Sequence, residues 1–191
     1  MKNKTLWIVV GVIVVIGLYV MGTYNSLVGA GNSADVQWAQ VDTVLQRRFD
    51  LIPNLVSSVK GVFVQEQEIF GQIADARTRY AGAVSSNAPV GERVAAANQL
   101  EGTLARLLVI MESYPALRSV ETVQNLMVQL EGSENRISVE RNKYNEIVGR
   151  YNLKTKRFPG SLVASMFGFE AKELFQAADG TEVAPKVDLV N

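Results

Sequence analysis

The chain has 191 residues, enough for one domain and an accessory segment. Nineteen Lys and Arg balance nineteen Asp and Glu, so no excess charge draws the chain to phosphates and no nucleic-acid partner is expected. Histidine and cysteine are both absent, which removes the commonest general base, the thiolate nucleophile, disulfides and every usual zinc ligand but carboxylates.

MKNKT precedes LWIVVGVIVVIGLYVM, sixteen uncharged residues of which eleven are Leu, Ile or Val. Counted on to Tyr24, the run is about 19 residues, or roughly 28 Å of helix, close to the apolar thickness of a bilayer. Residues 1–24 are therefore expected to form a short amino terminus and a transmembrane helix. A buried core helix would need protein on every face, which one short domain does not provide. A cleaved signal peptide is the competing reading. Lys2 and Lys4 suit its basic start, and Gly29-Ala30-Gly31 supplies small residues, although eight positions beyond the run. Lys2 and Lys4 lie before the span and the next cation is Arg47. That asymmetry predicts a single-pass protein of the cytoplasmic (inner) membrane, its amino terminus in the cytoplasm and its bulk outside.

Residues 25–33, NSLVGAGNS, read as a flexible tether. The bundle is expected over 34–170. Trp38, Val41, Leu45, Arg48, Ile52, Leu55, Val59, Val62, Glu66, Ile69, Ile73, Ala76 and Tyr80 alternate in steps of three and four, one seam of a helix over about 34–80. A second helix, about 89–113, carries Val94, Ala97, Leu104, Leu108 and Met111 and stops at Tyr114-Pro115. A third, about 119–156 with Ser119 as its cap, carries Val123, Leu126, Leu130, Ile137, Tyr144, Val148 and Tyr151. A short helix over about 162–167 follows, with Ser161 as cap and Gly168 as stop. Residues 171–191 form an irregular tail with a turn at Asp179-Gly180 and an extended alternation at Val187 and Leu189. The fold class is all-α: a transmembrane helix followed by an elongated antiparallel three- to four-helix up-and-down bundle.

QRRFDLIPNLV, residues 46–56, interrupts the first seam. Pro53 removes a backbone hydrogen bond and presses on the carbonyl of Phe49, at a cost of about 3 kcal/mol inside a helix. Asp50 is placed to cap a restarted helix with Pro53 in its first turn, and Asn54 to bond freed backbone groups. Arg47 and Arg48 then stand in the last turn of the preceding segment, where the helix dipole favours cations. A kinked joint is the reading adopted near residues 50–53; a site for an anionic headgroup or partner carboxylate is the alternative.

The run W-A-Q-V-D-x-x-L-Q-R-R-F-D-L-I-P-N-L-V-x-x-V-K-G from Trp38 to Gly61 resembles the signature of the LemA family. Supporting marks are Tyr24-Asn25, Tyr114-Pro115-x-Leu117, E-x-x-x-N-R-I from Glu131, two Tyr-Asn pairs and F-P-G-S-L-V-A-S from Phe158. The similarity covers nearly the whole chain. It implies a bacterial membrane protein with a four-helix-type bundle behind one amino-terminal membrane segment, and it brings no catalytic residues. It also implies a short amino terminus outside the cell, opposite to the charge-based expectation, which is kept here on this chain's own lysines.

Tyr144-Asn145 and Tyr151-Asn152 are seven apart, so both tyrosines share one helix face with the asparagines beside them. Core packing, with Asn bonding the hydroxyls or fixing register, is set against an aromatic ligand box. The seams also carry charge at Arg48, Glu66, Glu101, Glu134 and Arg141. Unpaired charge inside a bundle costs several kcal/mol, so structural ion pairs are expected rather than an acid–base pair or a metal site. A helical carboxylate metal site of the Glu-x-x-His kind needs histidine. The expectation is no catalytic residue, no metal and no cofactor.

A first helix of about 50 residues, a second of about 25 and a third of about 37 leave Trp38, Val41, Leu45 and Ile52 overhanging at one end and Tyr144, Val148 and Tyr151 at the other. Either the first helix folds back at Pro53, or copies associate to cover the stripes; association is the expectation. The functional reading is a non-enzymatic, self-associating membrane scaffold whose partners are the lipid bilayer, other copies and other envelope proteins. The alternative is a helical membrane-surface enzyme or anionic-lipid binder using Arg47, Arg48 and Asp50 or the seam carboxylates.

Overall fold

A computed structural model describes residues 2–61 and 66–176, and among these residues the regular elements are all helices. They are α1 (Lys2–Phe49), α2 (Ile52–Val59), α3 (Gln67–Ser85), α4 (Val90–Glu112), α5 (Pro115–Arg118), α6 (Glu121–Lys156) and α7 (Gly160–Phe167). The described residues divide into two units. One holds the chain up to Val41 with Glu140–Leu174; the other holds Asp42–Val139 with Phe175 and Gln176.

In the first unit, the side chains of Leu6, Trp7, Ile8, Ile13, Val15 and Leu18 all stand in the open. The 18-residue window of highest hydropathy, mean 2.5, is wholly unburied. A stretch of this length and apolarity suits the hydrocarbon core of a bilayer. α1 does not stop where the apolar run stops. It continues through residues 25–33, so the expected tether is helix. Glycine lowers helix stability by about 1 kcal/mol per residue, but packing overrides propensity here. Leu27 and Ala34 are buried, and Leu27 forms a core cluster with Val163 and Ala164 of α7, flanked by Val20 and Phe169. Gly31 lies where a Cβ would sit 3.5 Å from the Tyr151 ring. Residues 27, 31, 34, 38 and 41 thus extend the three-four seam seven positions upstream of Ala34.

α6 runs antiparallel to α1 in this unit. Gln37 Nε2 donates to Glu140 Oε2 at 2.7 Å, and Lys154 Nζ donates to Ser26 Oγ at 3.0 Å. α7 follows a close corner at Gly160, where a Cβ would run into the backbone carbonyl of Lys154. Ser161 makes no side-chain cap; Pro159 stands at that position instead. Gly168 ends α7 in the left-handed region, φ 73°, and the Phe169 N–H returns to the Ala164 carbonyl at 2.9 Å.

In the second unit, α1 passes into α2 with little loss of helical geometry. Asp50 N–H bonds the Gln46 carbonyl at 2.9 Å, Leu51 N–H bonds that of Arg48 at 3.1 Å, and Leu51 itself stays right-handed at φ −77°, ψ −25°. Pro53 occupies the first turn of α2. Asp50 is exposed and supplies no side-chain cap, contrary to expectation, because Leu51 holds the cap position. Asn54 offers its carbonyl to Ser58 Oγ at 2.8 Å. Across the joint Leu45, Arg48, Ile52, Leu55 and Val59 all stay buried.

The reversal comes later. Tyr80 of α3 meets Phe49 edge-on with ring centroids 4.6 Å apart and donates to Asp42 Oδ1 at 2.9 Å. α3 therefore returns alongside α1, and the chain turns between α2 and α3, not at Pro53. The single helix expected over 34–80 is corrected to three. α4 then runs parallel to α1, pairing Arg93 with Asp42 and Glu101 with Arg48, and α6 closes an up-down-up-down four-helix bundle.

With that correction the expected overhang disappears. Trp38, Val41, Leu45, Ile52, Tyr144, Val148 and Tyr151 are all buried within the chain. The α4 seam uses Leu100 and Leu107, with Leu108 only half-buried. Ser119 donates to the Ala116 carbonyl at 2.7 Å, closing α5, and α6 starts at Glu121. Val62, the Asp179-Gly180 turn and the Val187 and Leu189 alternation lie outside the described residues.

Candidate functional site

The charged centre of the four-helix unit is built on Arg48. Its place in the seam points it inward, where it is 8 % exposed. Nη1 meets Glu101 Oε1 of α4 at 3.4 Å and also bonds Glu134 of α6. Burial lowers the pKa of the guanidinium, and the Glu101 carboxylate opposes that shift. One turn and a half earlier on α1, Asp42 takes the Tyr80 hydroxyl at 2.9 Å and Arg93 Nη1 at 3.3 Å. Burial, and after it the Asp42 carboxylate, push the Tyr80 hydroxyl well above the usual phenol range. Four helices thus meet through two acceptor–donor knots, and the charges face each other.

Of the seam charges expected to pair, Arg48, Glu101 and Glu134 come together. Glu66 stands at the cap position of α3, half-buried, with no ion pair among the described residues. Arg141 lies in the other unit, half-buried. Asp42, Tyr80 and Arg93 were not foreseen as part of this centre. Their signal was present: Asp42 follows the seam residue Val41, and Arg93 precedes Val94, the flanking positions from which a side chain reaches across.

The arginine pair does not converge. Arg48 is buried, whereas Arg47 is exposed and lines a surface groove of about 340 Å³ with Leu51, Val128 and Arg136. Asp50 and Asn54 are exposed and Pro53 is half-buried. Among the described residues, no three carboxylates group as a metal site.

The tyrosine–asparagine face lies in the first unit. Tyr144 is 1 % exposed, packs edge-on against Trp38 at 5.3 Å and donates its hydroxyl to the Glu173 carbonyl at 2.9 Å. Tyr151 is buried with Lys172 Nζ 5.9 Å above its ring. Burial raises its hydroxyl pKa, with Lys172 opposing. Asn152 clamps the post-α7 strand of chain: its Nδ2 donates to the Lys172 carbonyl, and its Oδ1 accepts from the Lys172 N–H, both at 2.8 Å. Lys172 also reaches Asp35 of α1 at 2.6 Å. The Tyr144 hydroxyl therefore finds main chain, and Asn152 acts as an acceptor–donor pair for a returning segment. Asn145, one helix position after Tyr144, is half-buried.

Comparison with known proteins points the same way as these motifs. The chain is similar to Magnetosome protein MamQ 2 and Magnetosome protein MamQ 1 of Paramagnetospirillum magneticum, each 26 % identical over 190 aligned positions, covering 86 % of this chain and 70 % of the relative. Magnetosome protein MamQ of Magnetospirillum gryphiswaldense matches at 26 % identity with the same coverage. Residues 37–189 match the LemA family, a stretch that holds both the Arg48 centre and the Tyr-Asn face. An all-helical, membrane-associated protein with these motifs is what the fold presents, and the chain belongs to the LemA family.

Proposed function

We propose that this protein is a single-pass anchor of the cytoplasmic membrane that works by binding other envelope proteins, not by turnover, with its amino terminus in the cytoplasm and its helical units outside. What supports the reading is the Arg48 centre. Its buried cation and both carboxylates are taken up in joining α1, α4 and α6, as a structural core uses charge. Likeness to magnetosome proteins fits work at a membrane. Self-association stays in the proposal only through confinement of copies in one bilayer, because the stripes expected to drive it are covered within the chain.

Arg48→Ala separates this reading from the enzyme. A scaffold loses thermal stability and capture of its crosslinked neighbours together. A variant that stays fully stable and folded while the cell loses the protein's function would instead favour chemistry at this centre. A carboxyl-terminal reporter active only in the cytoplasm would overturn the topology, and monomers alone in native mass spectrometry would remove self-association.

A further inference from the structure

The first unit carries a second site, unrelated to the Arg48 centre. Between Glu146 and Glu170 the chain has four cations, Arg150, Lys154, Lys156 and Arg157, and no carboxylate. Three of these, Arg150, Lys154 and Arg157, line a groove of about 740 Å³. Its apolar wall is Leu18 and Leu27 of α1, Leu153 of α6 and Phe158. The groove therefore begins on the unburied apolar face of α1 and ends among basic side chains. That is the order of groups in a phospholipid, acyl chain first and phosphate last.

The level of this groove is set by contacts. Tyr24, at the end of the apolar run, meets Phe167 and Phe169 edge-on at 5.0 and 5.5 Å. α7 is thus held beside the end of the span. α7 buries Val163 and Ala164 against Leu27, yet leaves Leu162 and Met166 60 % and 70 % exposed, with Phe158 at 80 % beside them. An eight-residue helix that is apolar on both sides is costly in water and stable at a lipid interface. The cations remain available. Among the described residues, Arg150 makes an exposed pair with Glu146 at 3.5 Å, Lys154 bonds the Ser26 hydroxyl, and Arg157 has no ion pair.

We infer that this groove binds one anionic phospholipid of the adjoining leaflet, its phosphate held by Lys154, Arg157 and Arg150 and its acyl chain laid along the exposed Leu18 and Leu153. The inference rests on the membrane-anchor reading but not on the scaffold role.

The test uses the full chain in nanodiscs of equal phosphatidylglycerol and phosphatidylcholine, followed by native mass spectrometry of retained lipid. Wild-type protein keeps phosphatidylglycerol in preference. Lys154→Gln with Arg157→Gln loses that preference by roughly fivefold per cation removed. Lys154→Arg with Arg157→Lys retains it, as does Lys143→Gln outside the groove. Circular dichroism reports whether the glutamine variant is folded. If it is not, the wild-type preference must still fall between about 0.1 and 1 M salt, where the screening length drops from about 10 to 3 Å. Equal retention of the two lipids by wild type overturns the site, as does a preference that survives in folded glutamine protein or at high salt. So does a dimer that Phe158→Ser dissociates, which would seat a second copy there. Extraction of the wild-type chain from membranes by alkali would instead sink the anchor reading itself.

Discussion

The two units solve the same packing problem with different chemistry. The four-helix unit draws α1, α4 and α6 together on a buried guanidinium and two carboxylates, with aliphatic seams above and below. The other unit uses rings, Trp38 on Tyr144 and Tyr24 on Phe167 and Phe169, and a side-chain amide that grips main chain at Lys172. A buried cation needs a facing carboxylate, so Arg48 Nη1 fixes which helices meet even though its Nε has no hydrogen-bond partner among the described residues. Aromatic packing tolerates a looser set, and the unit that relies on it is the one with an apolar face in the open.

The sharpest way to break this contrast is at Arg48. Arg48→Ala strands Glu101 and Glu134 and is expected to cost about 3–5 kcal/mol in denaturant unfolding, with the loss confined to the four-helix unit in hydrogen exchange. Asn152→Ala leaves the Lys172 N–H and carbonyl without their partners. It is expected to cost about 1–3 kcal/mol and to raise proteolysis near residue 172 while the four-helix unit keeps its protection. Tyr80→Phe removes one hydrogen bond to Asp42, for about 1 kcal/mol in the same unfolding assay.

The sign of the Tyr80 effect with pH follows from its raised pKa. Its contribution is whole below the phenol's unfolded value of about 10 and is lost as pH rises beyond it, so wild type should fall toward Tyr80→Phe in alkaline melts. The smallest effect is at Glu140. Lys143 first and Gln37 second hold its carboxyl below the ordinary range. The pair therefore stabilises above the unfolded value of about 4.3 and is lost as pH falls below it. Because the pair is solvated, Lys143→Ala should cost under about 0.5 kcal/mol at neutral pH and nothing in acid.

Much of this was legible in the sequence. The three-four spacing from Trp38 to Tyr80 named the buried side chains, with Glu66 left half-buried and Val62 outside the described residues. Pro53 marked the joint, Gly168 marked the end of α7, and Arg48 meets two of the other seam charges, Glu101 and Glu134. What stayed hidden depended on tertiary contact. NSLVGAGNS has the composition of a tether and is helix because α7, more than a hundred residues later, covers Leu27. The reversal before α3 has no proline to announce it, whereas Pro53, read as a joint, sits in the first turn of α2. The grip of Asn152 on Lys172 joins residues with no shared period.

The unbroken course of α1 from its exposed apolar stretch into the chain beyond has a mechanical meaning. A slack connector would let the anchor wobble independently of what it carries. A stiff one would make an anchor a lever: a bilayer that leaned the rod would press Leu27 and Ala34, both buried, against their neighbours.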